Sequence, residues 1–252
     1  VMAVAAAVSA LLALAAFEKD GKIDGLNAPP EGTSANLGMI PVIGGAIVLI
    51  AFMSENAAES WSALHIEKTL NGSAALGSAG PAVLALTMGM ARVFGHGLSA
   101  KISALRLLLT GAAISACGAL AVALAPSAFF AYAGFIVMGI GSSVIAPTAF
   151  TLVGTMAAPE ARARAVARAT MLGYAGYFVG PPLVGMIAGG VGLRSAFVFT
   201  AASLGTAWTT GSSALFPFLV QAAAHPWVEA RSLASHPVLF SWPLRSYHQH
   251  LQ

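Results

Sequence analysis

Apolar residues fall along this chain in long blocks separated by short polar segments. The blocks are Val1 to Phe17, Met39 to Leu64, Leu76 to Ala91, Leu107 to Ala125, Ala128 to Met156, Ala165 to Ala188 and Ser195 to Phe218. Most reach the ~20 residues that a helix needs to cross a hydrocarbon core of about 30 Å. The first is short and reads as the end of a span, and the third needs Val93 and Phe94 to complete its crossing. The pattern predicts an all-α, polytopic membrane bundle of about seven spans.

Composition agrees with this pattern. Hydrophobic residues make up 58% of the chain and charged residues 8%, against roughly 25% charged in a soluble domain, and the mean hydropathy is +0.81. A net charge of +3 does not signal nucleic acid, because the cations are scattered rather than gathered into a patch. The lone Cys117 lies in an apolar block, has no intrachain disulfide partner and is expected to be a small buried hydrophobe. His225, His236, His248 and His250 lack the spacing of a ligand set, so neither metal nor other cofactor is expected.

The cations report topology. If the spans alternate, Lys19, Lys22, Arg92, Lys101, Arg106, Arg162, Arg164, Arg168, Arg231 and Arg245 share one side, and only Lys68 and Arg194 take the other. Positive residues concentrate on the cytoplasmic side. The loops at 18–38, 92–106 and 157–168 and the tail are therefore expected in the cytoplasm of a multi-pass plasma-membrane protein, the bacterial inner membrane. Val1 then falls outside, with no initiating Met and no cleavable signal pattern, so a preceding membrane portion is expected.

Four regions follow: 1–17 as the end of a preceding helix, 18–38 as a polar linker, 39–218 as six spans, and 219–252 as a disordered cytoplasmic tail. Chemistry concentrates in the second block. Glu55 and Glu59 stand one helical turn apart and share a face. An acid within a span costs several kcal/mol unless it borders water or finds a partner. Glu55 lies about 24 Å along the helix from Met39, within the core, and Glu59 lies near the outer interface that Trp61 marks. Asn56 and Ser60 add polar groups beside them.

Elsewhere the signals are small residues and prolines. Pro81 interrupts the third block, and Met88 to Gly97, with Gly89, Arg92 and Gly95, reads as a tight basic turn between two spans. Gly134, Gly139, Gly141, Ser142, Ser143 and Pro147 suit a closely packed, bending helix. Tyr174 and Tyr177 are the polar handles of the sixth block. There Gly176 and Gly180 form one GxxxG pair, Gly185 and Gly189 another, and Pro181 and Pro182 are expected to break the ladder between them.

Three of these stretches, Glu55 to Leu64, Met88 to Gly95, and Leu172 to Gly185 with its Gly-Pro-Pro-Leu-Val-Gly core, make the chain resemble the carboxyl-terminal half of a major facilitator superfamily transporter. The likeness is to the fucose-permease-like bacterial branch and covers about residues 1–212. It implies the end of helix six followed by helices seven to twelve, a missing amino-terminal half, and alternating access around a central cavity. Ala91 stands where related sequences usually have Gly, and His96 where they usually have an acid.

The expected function is secondary, proton-coupled transport of a small organic solute such as a sugar or drug-like molecule, and not enzymatic catalysis. Glu55 and Glu59 are the candidate proton-coupling acids. Asn56, Ser142, Ser143, Tyr174 and Tyr177 are the candidate solute contacts. Pro81, Gly89, Arg92, Gly95, Gly176, Gly180, Pro181, Pro182 and Gly185 are the candidate gating and hinge positions. The partners are then the solute, protons, the bilayer and the other transporter half, with no nucleic acid. Two alternatives stand beside it: a membrane protein or fragment without transport activity, and an intramembrane serine hydrolase pairing Ser142 with His96.

Overall fold

The structure is a computed structural model that describes residues 38–99 and 102–215. The segments expected as a preceding helix end, most of the linker, Lys101 and the tail lie outside these residues. Among the described residues the chain forms six helices: α1 Ile40–Leu64, α2 Ala74–Ser99, α3 Ala104–Leu124, α4 Ala128–Met156, α5 Arg162–Val191 and α6 Leu193–Thr210. A π-helical turn, His65–Thr69, extends α1, and another, Gly211–Leu215, extends α6. Among the described residues, five helices are long and apolar enough to cross a membrane: α1 with its extension, α2 (from Ala74 to Gly95), α3, α4 and α5.

Local chemistry sets the element ends. Proline stands in the first turn of α1, where its missing N–H costs nothing. Pro126 follows the end of α3 and prevents its continuation. A single residue, Gly192, joins α5 to α6 at φ +89°, a left-handed conformation that favours glycine.

One sequence expectation gives way to a longer helix. Met88 to Gly97 is not a turn, because α2 continues to Ser99. The Pro181–Pro182 pair, expected to break the hydrogen-bond ladder within its span, lies inside α5, which runs on to Val191. Both outcomes have one cause. In hydrocarbon an unbonded backbone group costs several kcal/mol, more than the ~1 kcal/mol of a helical glycine, so the chain stays helical and finds outside donors where proline removes one.

α1 packs on α5, α2 on α4, α3 on both α4 and α6, and α1 also touches α2, α4 and α6. Exchanging α1–α3 for α4–α6 maps the α1–α5 contact onto α4–α2 and leaves α1–α4 and α3–α6 in place, a pairing symmetry between the two three-helix groups. The core runs through α1 (Ile47, Val48, Ala51), α3 (Leu108, Ala112, Val122), α4 (Phe135, Met138, Ile145) and α6 (Phe197, Leu204). Side-chain size sets the spacing. A methyl on Gly176 would strike the Leu49 carbonyl of α1, and one on Gly141 the Ser115 backbone of α3. These small residues let backbones touch where lipid offers no hydrophobic drive for association.

The helices differ in what they bury. In their apolar windows α1, α3 and α4 bury 61%, 50% and 56% of residues, whereas α2 and α5 each bury 22%. The two flanking helices therefore turn broad apolar faces outward: Leu86, Val93 and Phe94 on α2, and Met171, Phe178 and Met186 on α5. Cys117 also corrects its expectation. It is exposed, on the α3 stripe that carries Ala113, Leu120 and Leu124, where lipid accepts a small thiol as readily as a protein core does.

Candidate functional site

The site grows from one stripe of α1. Phe52, Glu55, Asn56 and Glu59 recur at the i, i+3, i+4, i+7 spacing that aligns side chains on a helix face. Glu55 is 3% exposed, and its Oε1 has no hydrogen-bond partner. Glu59, one turn further out, is exposed. The pair therefore splits, with one carboxyl inside the bundle and the other at its edge.

Three other helices complete the surroundings of Glu55. From α2, Arg92 projects its guanidinium toward α4, where Nε donates to the Ser143 carbonyl at 3.5 Å. From α5 come Tyr174 and Tyr177, which close an aromatic cluster with Phe52: ring centroids lie 4.7 Å apart for Phe52–Tyr177, 5.3 Å for Phe52–Tyr174 and 5.9 Å for the tyrosine pair. Phe52 shares the Glu55 stripe of α1, so one carboxyl group of α1 and two phenols of α5 border one seam, while Arg92 of α2 reaches α4 although its sequence neighbourhood suggested a loop.

The backbone beneath the cluster is held by side chains that answer missing N–H groups. A proline at position i leaves the carbonyl of residue i−4 without its helical donor. Pro181 frees Tyr177, whose carbonyl accepts from Asn56 Nδ2 at 3.2 Å. Pro147 frees Ser143, whose carbonyl accepts from Arg92. At the end of α3 the Val122 carbonyl accepts from the Ala125 N–H at 3.2 Å and also meets buried His65 Nε2 at 3.1 Å. Trp61 Nε1 adds a bond to the Pro181 carbonyl at 3.1 Å, and Ser60 Oγ donates to Asn56 Oδ1 at 3.1 Å. Single-residue reading of the sequence missed this pairing. Its signal was present as the offset of four between each proline and the carbonyl it strands.

The remaining candidates lie elsewhere. Ser142 is fully buried and shares a 2.8 Å hydrogen bond with Ser115 of α3, on the side of α4 away from the cluster. Ser143 is buried, and its hydroxyl donates to the Ile140 carbonyl, so its backbone rather than its side chain meets the site. Gly176 and Gly180 lie on the α1 backbone at Leu49 and Met53, and Gly185 lies on Trp61. Gly89 and Gly95 face open space. Pro81 is half-buried within α2, and Pro182 is exposed on α5. An open apolar groove of about 520 Å³ along α2, lined by residues such as Ala82, Leu86, Gly89 and Phe94, carries no polar side chain to anchor a charged group. Among the described residues no group of three His, Cys, Asp or Glu could hold a metal ion.

The model of the Major Facilitator Superfamily matches residues 43–244, most of the chain. The chain belongs to that superfamily. Among relatives of this major facilitator chain, an uncharacterized MFS-type transporter of Yersinia pestis is 31% identical over 144 residues, 57% of this chain and 37% of the relative. The membrane protein MosC of Rhizobium meliloti is 26% identical over 155 residues, 62% of this chain and 38% of MosC. The matches thus span less than half the length of these relatives. Structures of the peptide transporter POT, with sulfate and with alafosfalin, superpose with a TM-score of 0.65 at 15% identity, covering 78% of this chain and 45% of POT. At that identity the likeness establishes the fold. The chain is a transporter-family membrane protein rather than an enzyme, which removes the hydrolase alternative, and Ser142 is spent on Ser115.

Proposed function

We propose that this chain forms the carboxyl-terminal half of a proton-coupled secondary carrier for a small organic solute, working by alternating access with a second six-helix half in a bacterial inner membrane. The observation that carries the proposal is Glu55, a carboxyl group inside the bundle with an unpartnered oxygen, one helical turn from the ring cluster of Phe52, Tyr174 and Tyr177. Ionisable groups at such depth mark ion and substrate pathways. Taking up a proton removes the charge and with it most of the cost of burial. Glu55 is then the coupling acid, and exposed Glu59 is the outer acid through which protons reach it.

Tyr174 and Tyr177, with Phe52, supply the aromatic wall for the solute, an arrangement suited to a sugar ring or a drug-like molecule. Asn56 is engaged by the Tyr177 carbonyl and by Ser60, so it shapes the wall rather than grasping the solute. Ser142 and Ser143 contribute through packing and backbone. The Glu55 to Leu64 stretch supports placing the carrier in the fucose-permease-like branch.

The test uses the complete carrier in vesicles loaded with a pH-sensitive dye and challenged with a panel of neutral sugars and amphiphilic drugs. A solute that drives proton entry in the wild type should fail to do so in Glu55→Gln while still exchanging across the membrane. Proton entry undiminished in that variant removes the coupling role.

A further inference from the structure

The double proline of α5 strands two consecutive carbonyls, and only one of them is answered. A proline removes the N–H that would bond the carbonyl four residues earlier, and its ring pushes that carbonyl aside. Pro181 does this to Tyr177, whose carbonyl accepts from Asn56 Nδ2 of α1 at 3.2 Å. Pro182 does it to Phe178, and there no side chain among the described residues donates. Consecutive carbonyls are turned by about 100° around a helix, so the α1 side chain that reaches Tyr177 misses Phe178. Phe178 is 80% exposed and Pro182 is exposed as well. Hydrocarbon tails carry no donor for such a group, so its partner comes from elsewhere.

The surroundings of this acceptor share one electrical sign. Tyr174, one turn earlier on the same outward stripe, is 52% exposed and belongs to the ring cluster with Phe52 and Tyr177. Aromatic faces attract cations. Asn56 and Trp61 bond the carbonyls of Tyr177 and Pro181 at 3.2 and 3.1 Å, which sets this part of α1 beside the double proline. Glu59 falls between them along the chain and is exposed. Neither α1 nor α5 beyond Arg168 contains a Lys, Arg or His, and the guanidinium of Arg92 is engaged on α4 at the Ser143 carbonyl.

We propose that the Phe178 carbonyl is a solute-binding group and that the solute is an amphiphilic organic ammonium ion, whose N–H bonds this carbonyl while its apolar body lies on Tyr174. The ammonium supplies the donor that the helix lacks, and its charge is favoured by the carbonyl dipole, the ring faces and Glu59 together. An anion would be repelled by all of these, and a neutral hydroxyl would satisfy the carbonyl alone. The inference rests on the carrier reading above, in which a second half closes over this outward stripe and makes it a cavity wall.

The test measures binding to the complete carrier in lipid nanodiscs, by equilibrium dialysis against empty nanodiscs at neutral pH. Three probes of similar shape are compared: phenethylammonium, its N-trimethyl analogue without an N–H, and uncharged phenethyl alcohol. Phenethylammonium should bind about tenfold more tightly than either of the others, the ratio expected for one hydrogen bond from a charged donor. Pro182→Ala, which returns the N–H to the Phe178 carbonyl, should weaken phenethylammonium about tenfold and leave the trimethyl analogue unchanged. Pro181→Ala should change neither, because Asn56 already occupies the Tyr177 carbonyl.

Equal affinities for the two ammonium ions overturn the inference, as does a preference that survives Pro182→Ala. So does phenethyl alcohol binding as tightly as phenethylammonium, or phenethylammonium failing to bind. None of these readings requires proton movement. Absence of the N–H preference beside solute-driven proton entry removes the carbonyl site and leaves the carrier, whereas the expected pattern without proton entry leaves the site and removes proton coupling.

Discussion

Asn56→Ala tests the idea that side chains repair the backbone where proline breaks it. The substitution deletes the Nδ2 bond to the Tyr177 carbonyl and the exposed bond from Ser60. The exposed bond is replaced by water or headgroups and contributes little. The carbonyl bond is half-buried between α1 and α5, and interhelical hydrogen bonds in membranes contribute about 0.6 kcal/mol on average and up to ~1.7 kcal/mol. Because Pro181 leaves Tyr177 no alternative donor, the value belongs in the upper half of that range, about 1 kcal/mol. In Pro181→Ala the restored N–H bonds Tyr177 directly, and Asn56→Ala should then cost less than about 0.4 kcal/mol. The assay is a double-mutant cycle of reversible unfolding in mixed detergent–lipid micelles, with coupling read as the difference of the two costs. Equal costs of Asn56→Ala in both backgrounds would falsify the repair role.

Gly176→Ala should destabilise the chain by about 1–3 kcal/mol, since the methyl meets α1 backbone that cannot yield, whereas Gly89→Ala, in open space, should change stability by less than about 0.5 kcal/mol. The same unfolding assay separates them, and similar losses would contradict the packing described. A spin label on Cys117 should be relaxed by oxygen far more than by a water-soluble nickel chelate, as befits a lipid-facing stripe; the reverse ranking would place this face against water or protein. Arg194→Ala removes two bonds, at 2.8 and 3.0 Å, from the carbonyl end of α3, and should destabilise by about 1 kcal/mol after allowance for its exposure. Faster amide exchange in α6 near residue 194 and at the end of α3 is the accompanying sign; unchanged exchange there would deny the tie.

Much of the helical order could be read directly from residue type. Apolar blocks of membrane-spanning length give helices because hydrocarbon leaves the backbone no other way to bond itself, and Glu55 stands out as costly wherever its helix lies. The boundary at Met88 to Gly97 was misread, where the glycines carry the breaking propensities they have in water. In lipid those propensities are outweighed by the backbone's need for partners. Cys117 was misplaced for a related reason, because apolar surroundings in this chain mean lipid as often as core.

Sequence by itself determined that this is a helical membrane protein with one or two acids where acids are expensive, since these conclusions depend on length, polarity and spacing within single segments. Only the tertiary structure decided that Glu55 is inside while Glu59 is at the edge, that Ser142 turns away toward Ser115, and that Asn56 and Arg92 each meet a carbonyl stranded by proline. Those outcomes depend on which helix faces which, and at what rotation. That is settled by small residues fitting across α1–α5 and α3–α4, a matter of shape between segments far apart in the chain.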